Sequence, residues 1–370
     1  MQLVFALNAL GLSVWFPRIP DVKAALGLDV LTLAFCLFGM PVGTMLGFLG
    51  VGRIVRHFGL KATATWGGAT FLLSFIGPAL APNALALGLT LFVCGLTIAT
   101  IEVAMNAKAS QMEAALSRRL MTRCHAFWSL GTVTGALIGG LFAEADISFL
   151  RQQLLLQPLF AAGTIAFGWL LIPDAPRAET PERGVGMPSA ALVLLCLVPI
   201  GALLIEGAMM EWSALLLREH VGASPFVTAA TFATFALAMA IGRLAGDTLA
   251  EALGAGPVIV VSTLVMSAAM LGFALSPSVR ASMPLAALLG LGCANIYPLT
   301  MSMVAPLPGQ PPERNVATLA LTAFTAFLIG PPFVGMMASL VGLPAALALL
   351  APVGLASLLA RQAARRATRR

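Results

Sequence analysis

The amino-acid sequence predicts an all-α membrane protein with twelve transmembrane helices in two pseudo-symmetric bundles of six. Three observations predict it. The 370-residue chain is 59% hydrophobic and only 10% charged, with mean hydropathy +0.96, whereas a soluble domain carries roughly 45–50% apolar and about 25% charged residues. Its apolar runs are long and numerous enough to cross a bilayer repeatedly, and its two halves repeat at a fixed spacing. This composition excludes an ordinary water-soluble enzyme, a disordered or collagen-like chain and a nucleic-acid-binding domain. The net charge of +6 lies in short loops between apolar runs, where it reads as a topology signal.

The runs are bounded by charges or by Pro and Gly. In order they are 1–16, stopped by Pro17 and Arg18; 31–50, between Asp29 and Arg53; 62–81, between Lys61 and Pro82; 84–107, between Asn83 and Lys108; 125–143, between Arg123 and Glu144; and 152–172, between Arg151 and Pro173. The second half supplies 190–210, 226–246, 256–276, 281–303, 316–340 and 343–360. At about 20 residues per crossing, twelve crossings use about 240 residues and leave short loops. The first run is about four residues short of a span, so helix 1 is expected to lack residues at its start. No charged leader or small-residue cleavage site follows Met1, so no signal peptide is expected. Frequent Gly (36) and Pro (24) fit membrane helices, where neighbouring helices re-satisfy freed backbone groups. The five cysteines, Cys36, Cys94, Cys124, Cys196 and Cys293, show no metal or disulfide spacing and read as small buried hydrophobes.

Twelve crossings put both termini on one side. Of the 21 Lys and Arg, sixteen then share a side: Arg53, Arg56, Lys61, Lys108, Arg118, Arg119, Arg123, Arg177, Arg183, Arg243, Arg314, Arg361, Arg365, Arg366, Arg369 and Arg370. Five take the other: Arg18, Lys23, Arg151, Arg218 and Arg280. The richer side is expected to be cytoplasmic, with both termini there.

The polar stretch 173–189 reads as a cytoplasmic linker between an N-terminal bundle, 1–172, and a C-terminal bundle with a basic tail, 190–370. An offset of 195 maps Gly47 onto Gly242, Gly59 onto Gly254, Gly95-Leu96 onto Gly290-Leu291, Gly135 onto Gly330 and Gly140 onto Gly335. Six helices per half make the repeats parallel, related by an axis along the membrane normal. Two such bundles are expected to rock about a site near the midplane, giving alternating access.

With these features the chain resembles the major facilitator superfamily, along essentially its whole length. The loop signature of that family appears as Gly52, Arg53, Arg56, His57, Gly59 and Lys61. Its acid is replaced by Arg56, so the conformational lock which that acid supplies in the family is not carried over. The second-half counterpart, 246–254, offers Asp247 or Glu251 instead.

An ionisable group at the bilayer centre costs about 2.5–3.5 kcal/mol on insertion scales and therefore points to function. Glu102 and Asn106 in helix 4 share one helix face. The pair resembles helix 4 of the fucose-permease-like branch, whose bacterial inner-membrane members also share the segments 125–140 and 330–335. In that branch the Glu and Asn belong to a sugar and proton site. The fucose permeases carry a second acid in helix 1; here helix 1 offers Asn8, Ser13, Trp15 and Arg18, so substrate identity is not carried over.

Glu206 in helix 7 is the second proton-coupling candidate. Glu211, about 140° around the same helix, reads as a gating or interfacial acid beside the interface anchor Trp212. Tyr297, the only tyrosine, lies opposite Glu102 in the repeat, just after Asn295; both suit either a polar substrate or interhelical packing. Asn8, Trp15, Trp128 and Gln157 complete the substrate-binding candidates, Trp128 stacking on a sugar-like ring or packing as a core aromatic. Arg18, with Asp21 three residues on, reads as a local ion pair or an outer gate.

The expected function is proton-coupled import of a small polar solute, sugar-like or another metabolite, by a monomer of the bacterial inner membrane, with protons and lipid as its other partners and no cofactor. Drug or metabolite efflux is the alternative, kept open by the Gly-rich run 131–140 and the 17 methionines. A membrane enzyme or an ATP-driven pump would need a metal, nucleophile or phosphate-loop motif; the scattered His57, His125 and His220 provide none.

Overall fold

The computed structural model describes residues 1–118, 120–174, 189–308 and 311–367. Most of the expected linker (175–188), together with Arg119, Arg177, Arg183, Arg369 and Arg370, lies outside the described residues. Those described form helices and short connections, with no strand among them.

Among the described residues, ten stretches are long and apolar enough to cross a membrane. One of them, Val30–Leu80, has 51 residues, which at about 1.5 Å per residue is more than twice the roughly 30 Å hydrocarbon core. It breaks at Gly59, where φ is 80° and ψ 166°, a region open essentially to Gly alone. Residues 30–58 and 60–80 are therefore helices 2 and 3. Phe149–Trp169 is a further helix of membrane length; Arg151, Gln152, Gln153 and Gln157 lower its hydropathy. With it the count among the described residues is twelve.

The others are helix 1 (Gln2–Ala25), helix 4 (Ala84–Leu116), helix 5 (Met121–Glu144), helix 7 (Ala190–Glu211, followed by Ser213–Glu219), helix 8 (Pro225–Leu253), helix 9 (Ala255–Ala274), helix 10 (Val279–Val304), helix 11 (Pro312–Val341) and helix 12 (Leu343–Arg366).

Helix 1 corrects an expectation. It is not a short run ending before Pro17 and Arg18 but a stretch of 24 residues, continued through a 3-10 turn, Phe16–Arg18, into Ile19–Ala25. Arg18 does not end it because that charge is neutralised inside the fold.

By packing, the chain forms two compact units. The first is Met1–Arg177 with Leu217–Ala233; the second is Ala178–Leu216 with Thr234–Arg370. In the first, helix 5 presents Gly131, Gly135 and Gly139 to the carbonyl oxygens of Ala6, Leu10 and Val14 on helix 1. Glycine every fourth residue lets two helix backbones touch, which in lipid supplies the packing that hydrophobicity cannot. The Gly-rich run considered for efflux thus has a packing role within this unit. In the second unit Gly201 lies against Gly354 of helix 12 and Gly292 against Met266 of helix 9.

The repeat is visible in individual contacts. Gly95 meets the Met40 carbonyl and Gly290 the Phe235 carbonyl, each 195 residues apart. A Cβ on Gly47 would lie 2.7 Å from that of Ala99, and one on Gly242 would lie 2.7 Å from that of Ala294. Gly59 and Gly254 share a positive φ of 80° and 83°. All five cysteines are buried and unpaired.

Candidate functional site

Helix 4 starts at Asn83, whose side chain accepts from the Ala86 backbone N–H at 3.0 Å, satisfying one of the orphan donors of the first turn. Farther along, Asn106 Nδ2 donates to the Glu102 carbonyl at 2.8 Å and to Glu102 Oε1 at 3.2 Å. Both residues are half-buried. Among the described residues Glu102 has no ion-pair partner, so inside the membrane-length stretch its carboxylate is met by an amide alone.

Two residues beyond Asn106, Lys108 is fully buried. Its ammonium donates to Gln111 Oε1 at 2.6 Å, the Pro173 carbonyl at 3.2 Å and Asp174 Oδ1 at 2.7 Å, which satisfies all three donors. Asp174 also accepts from the Lys61 backbone N–H at 3.0 Å, beside the Gly59 turn. An acid therefore does sit at this loop, supplied from beyond helix 6. Gly52, Arg53 and Arg56 are exposed, as is Asp247 in the second half, and none of the three charged residues has an ion-pair partner among the described residues.

Two of the amides predicted to meet substrate, Asn8 and Gln157, are bonded inside the first unit. Asn8 Nδ2 donates to the Val4 carbonyl at 2.8 Å and to Thr164 Oγ1 at 3.5 Å. Gln157 Nε2 donates to the Gly11 carbonyl at 2.9 Å, beside Gln153, which reaches the Phe75 carbonyl at 3.1 Å. These bonds tie helix 6 to helices 1 and 3. Trp15 is buried against Phe149. Trp128 is half-buried, its ring edge-on to Phe5 at 6.3 Å.

Arg18 is 3% exposed, with its guanidinium divided among three partners. It lies 2.5 Å from Asp21 Oδ2, donates to Gln152 Oε1 at 2.7 Å and donates to the Ile147 carbonyl at 2.9 Å. Asp21 pairs in turn with Arg218 at 2.5 Å, and Lys23 with Glu219 at 2.6 Å. Glu144 accepts from the Phe226 backbone N–H at 2.9 Å. Arg218, Glu219 and Phe226 belong to Leu217–Ala233, which the second half of the sequence contributes to the first unit.

In the second unit, Glu206 Oε1 lies 3.5 Å from Arg243 Nη2, an ion pair of helices 7 and 8. Glu211 is half-buried and has no ion pair or hydrogen bond among the described residues. Helix 10 is interrupted between Val279–Cys293 and Ile296–Val304. Asn295 sits in the break, buried, and donates to the Gly242 carbonyl at 3.0 Å. Tyr297 follows, half-buried, its hydroxyl making no hydrogen bond among the described residues. Helices 1 and 7 are interrupted as well, at residues 14–15 and 197–199; breaks of this kind are tolerated in a membrane where the backbone lies within protein or lines a cavity.

Sequence reasoning missed two partners. Arg243 falls near the end of the 226–246 run, where it reads as one more topology charge and nothing in the sequence points to Glu206. Asp174 borders a polar linker, where nothing distinguishes it from a solvated acid.

A family model described as the Major Facilitator Superfamily matches residues 197–369. An uncharacterised transporter of Sinorhizobium fredii is 30% identical over 362 residues, covering 94% of this chain and 96% of that protein. The chain belongs to the major facilitator superfamily. Among solved structures, a D-xylose-proton symporter superposes with a TM-score of 0.75 at 15% identity, covering 97% of this chain and 95% of that one. The transporter FucP in its outward conformation gives 0.65 at 15%, with 99% and 97% covered. At these identities the likeness shows the fold, and the fucose permease stands as one fold neighbour beside others. As a major facilitator the chain is a multi-pass membrane transporter of small-molecule solutes, not an enzyme.

Proposed function

We propose that the chain imports a small polar solute, driven by protons, with Glu102 as the coupling acid. The observation that carries this reading is the isolation of Glu102, a carboxyl group within a membrane-length helix whose only polar contact among the described residues is Asn106. A carboxylate that lacks a counter-charge is unstable in a low-dielectric setting. Such a group is favoured as the acid while buried and as the base when water reaches it, which is the cycle a coupling residue performs. Asn106 and Tyr297 keep polar groups available for a solute. Asn8, Gln157 and Asn295 already bond to the protein, and the reading does not use them for binding.

On this reading the bundles 1–172 and 190–370, joined through 173–189, provide alternating access as a monomer in a bacterial inner membrane with both termini cytoplasmic. The partly exposed network at Asp21, Arg218, Lys23 and Glu219 is its outer gate. Glu211 is the competing acid, since it also has no ion pair or hydrogen bond among the described residues.

The test is proton movement into proteoliposomes of wild-type protein under a solute library. Uptake of one polar solute with alkalinisation of the outside medium is the expected result. Proton release into the medium on exposure to apolar drugs would overturn import in favour of efflux.

A further inference from the structure

The Glu206–Arg243 pair differs from the ion pairs of Arg18, Lys23, Lys108 and Arg218 described above. The others close to 2.5–2.7 Å, within or inside the usual range for charge-assisted hydrogen bonds. This one stands at 3.5 Å, and the Arg243 side chain is 47% exposed, against 18% for Glu206. A guanidinium carries five N–H donors in a planar fork matched to carboxylate and phosphate. Among the described residues none of these donors makes a hydrogen bond.

Arg243 is nevertheless held in place. The carbonyl of the preceding Gly242 accepts from Asn295 at 3.0 Å, and Gly246, one turn on, lies against the same Asn295 side chain. The backbone on both sides of Arg243 is therefore pinned to the break in helix 10. An exposed guanidinium turned toward hydrocarbon is strongly disfavoured, so its free edge faces water.

The pair is also absent from the repeat. Scaffold contacts recur at an offset of 195, as Gly47–Ala99 and Gly242–Ala294 show. At that offset Glu206 corresponds to Gly11 and Arg243 to Phe48. The packing of a six-helix bundle does not require a charge at either place.

We propose that Arg243 recognises the carboxylate or phosphate of an anionic small solute, and that Glu206 holds the guanidinium in its absence. Binding exchanges one anion for another at Arg243. This rests on the transport reading above and names the class of its solute.

The experiment measures thermal stabilisation of the purified full chain by matched pairs of probes, D-glucuronate against D-glucose and glycerol 3-phosphate against glycerol. Bound ligand raises stability in proportion to its affinity. At least one anion stabilises the wild type while its neutral partner does not. Arg243→Gln weakens that binding tenfold or more, Arg243→Lys weakens it less, and Glu206→Gln, which removes the internal competitor, strengthens it severalfold. Equal stabilisation by neutral partners, no binding of either anion, or anion binding unchanged in Arg243→Gln overturns the proposal. Should Arg243→Gln fail to fold, the gain in Glu206→Gln still decides. Adding phosphatidylglycerol separates a solute site from a lipid site: competition by the lipid that abolishes the anion effect overturns a solute role. Anion binding with no proton movement would fail the proton-coupled reading alone. Proton-coupled uptake of a neutral solute, indifferent to Arg243→Gln, would fail this proposal alone.

Discussion

The ammonium of Lys108 is buried 2.7 Å from the carboxylate of Asp174, which joins helix 4 to the segment after helix 6 and, through the Lys61 backbone N–H that Asp174 also accepts, to the turn at Gly59. Asp174→Asn leaves a buried cation without its counter-charge and removes a charge-assisted hydrogen bond, a loss of about 1.5–3 kcal/mol. Lys108→Met in the same background removes the stranded cation and recovers part of it, because replacing both partners leaves nothing unsatisfied. Thermal unfolding of the two single variants and the double variant measures the coupling.

Gly59 and Gly254 occupy matched positive-φ turns. Gly59→Ala forces a Cβ into a backbone region that costs of order 1–3 kcal/mol, and it also meets the Asp174 carboxylate. Gly254→Ala suffers the backbone strain with open space around it, the nearest atom being 3.7 Å away. The first variant is thus expected to lose more thermal stability than the second.

The ion pairs at the outer end of the first unit differ in burial, and their variants should differ with it. Asp21→Asn strips the buried Arg18 of its carboxylate and lowers stability by about 1.5–3 kcal/mol. Lys23→Ala removes a pair whose Glu219 is 37% exposed and changes stability by about 0–1 kcal/mol. Equal effects in a denaturation series would contradict this assignment.

Asp29 caps helix 2, accepting from the Thr32 backbone N–H at 2.7 Å and from its hydroxyl at 3.1 Å. These bonds hold its carboxyl below the usual carboxylate range. A lowered value in the folded state means that the cap stabilises above the ordinary carboxylate pKa and is lost as pH falls through the lowered one. Amide exchange at Thr32 is expected to stay protected through mild acid and to quicken only below it; Asp29→Asn removes that pH dependence.

The crossings and the repeat were legible because both follow from quantities a sequence carries directly, namely apolar length and the glycines where backbones touch. Helix 1 was misjudged because Arg18 reads as a boundary until Asp21, Gln152 and the Ile147 carbonyl are seen around it. The break at Asn295 and the amide bonds of Asn8 and Gln157 were hidden for a related reason. A polar residue in an apolar run looks the same whether it awaits a solute or bonds a neighbouring helix, and tertiary packing decides which. Glu102 and Asn106 were legible as a pair because four residues bring them together on one helix.

The central claim is that Glu102 carries the coupled proton, and proteoliposomes holding Glu102→Gln test it most directly. Solute exchange at equal concentrations on both sides needs no net proton movement, whereas accumulation driven by a pH gradient does. The account predicts that Glu102→Gln keeps exchange within a few-fold of wild type and loses gradient-driven accumulation and external alkalinisation. Accumulation that persists in Glu102→Gln and disappears in Glu211→Gln would contradict it and move the coupling proton to helix 7.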